Sequence, residues 1–155
     1  MGTNIIQRGD GGVGFVEDGS STEVATIGGT GYRGMKIAKV PLTATTATTG
    51  GAVMSWLNPE NVAIIIHRLQ IDVTTKSTGA ANLSVGVGTG ATTSYANLID
   101  TYAIGGTEKV IDTAVDGSTN GKEVQKCALG SYVTATGSAS TAGLVATAYI
   151  HYYPL

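Results

Sequence analysis

The sequence predicts an all-β protein: a two-sheet antiparallel sandwich, jelly-roll-like, preceded by an extended Gly-rich N-terminal arm. Three observations carry this. Gly, Thr and Ala supply 23, 23 and 18 of the 155 residues, and only 13% of the chain is charged. That balance disfavours helical bundles, which need Glu, Lys, Leu and Gln, and favours strands joined by tight turns. After Gly34, β-branched runs alternate with turn residues, whereas residues 1–34 hold ten glycines and no sustained apolar period. At this length a single domain is expected, with residues 1–34 as the arm and 35–155 as the β-sandwich domain.

The arm gives up too much backbone entropy, and buries too little, to fold alone. Its short apolar words, around Ile5 and Ile6, Phe15, Val24 and Ile27, are suited to docking on a partner, where the segment would become ordered.

Eight strands are predicted, at 35–43, 51–57, 62–75, 82–88, 108–112, 123–128, 131–136 and 144–153. Asn58-Pro59, Asp116-Gly117 and Asn120-Gly121 supply the turn chemistry. In the long third run, strict alternation puts Ala63, Ile65, His67, Leu69, Ile71 and Val73 on one face. Val62, Ile64, Ile66, Arg68, Gln70, Asp72 and Thr74 then fall on the other. The core face is therefore expected to include Ile65, Leu69, Ile71 and Val73. In the last strand Leu144, Ala146, Ala148, Ile150 and Tyr152 alternate with Val145, Thr147, Tyr149, His151 and Tyr153, and neither set is fully polar. One helical interruption is predicted: Tyr95, Leu98, Ile99 and Tyr102 recur at helical spacing, behind the capping residues Thr93 and Ser94 and ahead of Gly105-Gly106.

The net charge of −2 and nine dispersed Lys and Arg give no footprint for a phosphate backbone, so no nucleic-acid partner is expected. No apolar run approaches the length of a membrane span, and no signal peptide is evident, which predicts synthesis in the cytosol without membrane association. Cys127 is the single cysteine, so neither an intrachain disulfide nor a cysteine metal cluster can form, and a small buried hydrophobe is the expected role.

The motifs that carry chemistry elsewhere fail on context. Residues 29–34, GTGYRG, match a dinucleotide glycine loop, but the helix that must follow is cut short by Pro41, and no acid stands about 20 residues on. GSTNGK at 117–122 is followed by Glu123, where a phosphate loop needs a hydroxyl residue. Arg8-Gly9-Asp10 spells an adhesion tripeptide, for which a solvated turn is the expected setting. His67 on an apolar face and His151 between Tyr149 and Tyr153 read as packed or interfacial histidines. The six Asp and five Glu are dispersed. No catalytic residue, cofactor or metal site is predicted, and an enzyme is not expected.

Two stretches, TTSYANLIDTYAIGG at 92–106 and NGKEVQKCALGSYVTATGSASTAGLVATAYIHYYPL at 120–155, resemble small virion structural proteins of tailed double-stranded DNA bacteriophages. The landmarks are the Asn-Gly-Lys turn, the Gly-Leu-Val start of the last strand and its Tyr-Ile-His-Tyr end. The nearest description is a head decoration, or capsid cement, protein. The resemblance implies a virion protein on the outer surface of the capsid, with no cofactor, that binds the major capsid protein and stabilises contacts between its subunits. It also implies a homotrimer. Tyr149, His151 and Tyr153 are the expected intersubunit face, since one sandwich can bury only one side of its last strand. Ile5, Ile6, Phe15, Val24 and Ile27 are the expected capsid contacts of the arm. Two other classes stay open: a tail or baseplate adhesion module binding host carbohydrate, with Trp56 as its aromatic platform, and an enzyme of unrecognised type.

Overall fold

The computed structural model describes residues 34–106, 109–116, 121 and 124–155. The arm anchors at Ile5, Ile6, Phe15, Val24 and Ile27, the Arg8-Gly9-Asp10 tripeptide and most of the 117–122 turn lie outside the described residues. Among those described, nine strands and one helical turn occur in the order β1 (Lys36–Pro41), β2 (Gly51–Leu57), β3 (Ile64–Thr75), β4 (Asn82–Gly88), β5 (Ile99–Ala103), β6 (Lys109–Asp112), α1 (Thr113–Asp116), β7 (Gln125–Cys127), β8 (Tyr132–Gly137) and β9 (Val145–Pro154).

They form two antiparallel sheets. The first runs β1-β9-β3-β6, with β7 also on β3; the second runs β2-β8-β4-β5. The chain changes sheet at most connections, so the two sheets are stitched together and their inner faces close on one core. From the first sheet come Ile64, Ile66, Leu69, Ile71, Ile111 and Ile150, all fully buried, and from the second Leu83, Val85, Ile99 and Val133. No described helix is long and apolar enough to cross a membrane.

Eight of the strands sit where the alternation predicts them, with ends shifted by a residue or two. Two expectations are overturned. Residues 95–98 are not helical, and β5 occupies the second half of the predicted helix. Tertiary contacts outbid the local period. The Asn97 amide accepts from Val87 N (2.7 Å) and donates to Val87 O (3.0 Å), as a neighbouring strand would, and Leu98 N donates to Val85 O (3.0 Å). Tyr95 lies so close to β4 that a Cβ on Gly88 would stand 2.0 Å from its ring. Only glycine allows that approach.

The second correction concerns β3. Ile66 pairs with Tyr152 and Arg68 with His151, a register break that leaves His67 over. Such a β-bulge adds one residue to one strand and exchanges the faces on either side of it. Ile64 and Ile66 therefore point inward together with Leu69, Ile71 and Val73, while Ile65 is only partly buried and His67 is exposed. The single face predicted to carry Ile65, His67 and Leu69 does not exist.

Candidate functional site

The two outer faces differ in what covers them. Over the four-stranded sheet the chain folds back on itself: Thr134 Oγ1 donates to Thr93 O (2.9 Å), and the Ser94 and Thr136 hydroxyls share a bond of 2.7 Å. Thr134 and Thr136 are buried in consequence. The Thr93 and Ser94 hydroxyl residues, expected to cap a helix, instead fasten this loop.

The outer face of the five-stranded sheet carries the predicted residues of the last strand. β9 alternates without interruption, burying Ala146, Ala148, Ile150 and Tyr152 and turning Tyr149, His151 and Tyr153 outward. Cross-strand pairing places Lys39 and Gln70 beside Tyr149, Ile37 and Arg68 beside His151, and Ile65 beside Tyr153. Ile37 is 60% exposed, Val145 55% and Tyr153 36%, so apolar side chains stand in solvent between charged ones. Lys39 Nζ lies 5.9 Å from the Tyr149 ring centroid, a loose cation–π contact.

The charged half of this face is organised around Asp112. Arg68 holds the carboxylate through Nε (2.9 Å to each oxygen) and Nη2, Gln70 Nε2 donates to Oδ2 (2.9 Å), and Ala114 N donates to Oδ1 (3.0 Å). These donors favour the ionised form and hold the Asp112 carboxyl down at about 2, the Arg68 hydrogen bond contributing most. Burial lowers the His151 imidazole, the positive charges of Arg68 and His67 act in the same direction, and Asp112 opposes them.

Cys127 is fully buried, and burial raises its thiol to about 11, which keeps it protonated and inert. Among the described residues no group of three or more His, Cys, Asp or Glu is arranged to hold a metal ion. Trp56 is half-buried and packs edge-on to Tyr152, with ring centroids 5.3 Å apart, rather than standing out as a platform. What the face can do is associate. It joins apolar and aromatic side chains to hydrogen-bonded charges on a rigid sheet, the composition of a protein–protein interface.

Sequence reasoning missed a further set of exposed apolar residues. Met35, Leu57, Leu129 and Leu155 are 56%, 48%, 63% and 56% exposed, and all flank one end of the sandwich. Each falls at a strand end or in a turn, where no periodicity marks it.

No protein-family model matches the chain, and no curated protein is similar to it in sequence. Solved structures do share its fold. A chain from the capsid of Ralstonia phage GP4 is similar with a TM-score of 0.56 at 16% identity, over 88% of this chain and 92% of that one. A chain from the acid-stable capsid of Helicobacter pylori bacteriophage KHP30 is similar with a TM-score of 0.51 at 12% identity, over 79% of this chain and 89% of that one.

Proposed function

We propose that this chain is a virion structural protein that binds the outside of a bacteriophage capsid and stabilises contacts between major capsid subunits as a homotrimer. The likeness of fold to phage capsid chains, over most of both molecules, is the observation that carries the reading. The strand order supports a jelly-roll description of that fold: β1, β9, β3 and the β6–β7 edge face β2, β8, β4 and β5. Tyr149, His151 and Tyr153, on the sheet face that the described residues leave open, form the contact between copies. Ile5, Ile6, Phe15, Val24 and Ile27 anchor the arm to the shell, and three arms per trimer give avidity that one lacks.

Purified particles test this reading. A denaturing gel should show the protein in fixed proportion to the major shell protein, and images of the particle should place it on the outer surface in threefold clusters. A few copies at the tail would overturn the reading in favour of host-surface adhesion. A chain starting at Met35 should stay folded and trimeric, yet fail to rebind particles stripped of the protein. Normal rebinding would remove the arm from the attachment.

A further inference from the structure

The bulge in β3 gathers three cationic or titratable side chains at one spot on the sheet face that the described residues leave open. His67 and Arg68 are both exposed and together stand opposite His151, where a regular ladder sets one residue against one. On its other flank His151 has Ile37 of β1, and two residues back along β9 the Tyr149 ring has Lys39 near it. His67 and His151 are the only histidines in the chain. Histidine is the side chain whose ordinary value lets its charge change between pH 5 and 8.

The other charges on this face do not neutralise the cluster. By strand register Lys39 of β1, Arg68 of β3 and Lys126 of β7 point outward, against Asp72 of β3 and Asp112 of β6. Asp112 is already committed: Arg68 Nε and Nη2, Gln70 Nε2 and Ala114 N all donate to it, and its side chain is 11% exposed. Asp72 lies further along β3, beside Thr147 rather than His151. With both histidines neutral, the described face carries three positive and two negative side chains, close to balance; with both protonated it carries five against two. Burial, Arg68 and His67 hold the His151 imidazole below its ordinary value, with Asp112 opposing, so the neutral form prevails at neutral pH.

We infer that His151, set against His67 and Arg68, makes the contact between copies a proton-sensitive one that holds at neutral pH and releases in acid. This rests on the proposed association of copies through Tyr149, His151 and Tyr153 and adds its regulation. Association through that strip takes His151 out of water and brings the positive groups of one copy near those of the next. A neutral imidazole tolerates both changes, whereas an imidazolium is opposed by lost hydration and by like charge. The associated form therefore prefers the unprotonated histidine. Association weakens as the pH falls through the value of His151, by up to about tenfold per pH unit for each copy.

Sedimentation of the full chain over a range of concentrations, at about pH 7.5 and about pH 5, tests this with the β spectrum recorded alongside. The trimer should be present at the higher pH. At the lower one the concentration at which half of it forms should rise at least about tenfold, with the β spectrum kept. Added salt should restore part of the trimer in acid, because it screens the like charges. His151→Gln puts a neutral amide in place of the imidazole; whatever the strength of its trimer at neutral pH, that strength should change less than about threefold between the two conditions. If that variant forms no trimer, the salt response of the unchanged protein decides. A trimer equally strong at both pH values would overturn this inference and leave the contact between copies standing. So would a loss of trimer in acid that takes the β spectrum with it, one that salt leaves unchanged, or full pH dependence in His151→Gln. Absence of a trimer at about pH 7.5 would instead overturn the association of copies through this face, and this inference with it.

Discussion

Arg68, not His67, stands opposite His151 in the β3–β9 ladder, and that displacement by one residue organises the open face of the sheet. With His67 bulged, Arg68 points outward on the same side as Gln70 and reaches Asp112, which pairs with Gln70 from β6. In strict alternation the same outward position would still fall to Arg68, but Ile65 would then lie on the inner face with Leu69. The bulge instead keeps Ile64 and Ile66 in the core and frees Ile65 to stand beside Tyr153.

The bulge separates two substitutions that strict alternation would make equivalent. Leu69→Ala empties a fully buried site and should cost about 2 to 5 kcal/mol. Ile65→Ala removes a side chain from the outer face and should cost less than about 1.5 kcal/mol. Chemical denaturation of both variants checks this, and equal losses would place Ile65 in the core.

Asn58 should be among the most sensitive polar positions. Asn58→Ala leaves the buried carbonyl of Cys127 and the part-buried carbonyls of Val62 and Ala128 without this donor and should cost about 1 to 3 kcal/mol. Asn58→Asp keeps the acceptor for Glu60 N but removes the donors, so it should be at least as damaging. Thermal unfolding of the two variants reads the effect directly.

Acid should weaken the protein in two steps. His151 has a folded-state value below its ordinary one, so the unfolded chain binds a proton first and stability declines as the pH falls below about 6.5. Asp112 titrates at about 2 in the fold against 3.8 in a free chain, so its contribution is present above pH 4 and is lost as the pH falls from there towards 2. Arg68 is partly exposed and its attraction is screened, which leaves that second step on the order of 1 kcal/mol. Denaturant midpoints measured across this range should show both declines, and Asp112→Asn should abolish the lower one.

Association through the open face should depend on its aromatic residues. If the proposed trimer forms through this face, replacing Tyr149 and Tyr153 together by Ser should turn it into a monomer with an unchanged β spectrum. Sedimentation checks it at micromolar concentration. A wild-type protein that is already monomeric there, with no threefold clusters on particles, would exclude this surface as the subunit contact.

Much of the architecture is legible in the chain itself. Alternation in 144–153 predicts both the buried side of β9 and the outward Tyr149, His151 and Tyr153, because a strand with no bulge repeats every two residues without outside help. Strand positions and the all-β class follow from β-branched runs between turn residues, which act locally. Three features belong to the tertiary structure. Tyr95, Leu98, Ile99 and Tyr102 keep helical spacing, yet Asn97 and Tyr95 find better partners on β4, some ten residues back in the chain, than one turn of helix could supply. The bulge at His67 has no local signal, since it is set by the inward demand of Ile64 and Ile66 on one side and of Leu69 and Ile71 on the other. The apolar end exists because the pairing of β2 with β8 and of β3 with β7 and β9, with the bonds of Asn58, brings residues 57, 129 and 155 to one end of the sandwich. Local periodicity fixes which way a side chain points within a regular element. Packing between elements decides where that regularity breaks and which distant residues then share a surface.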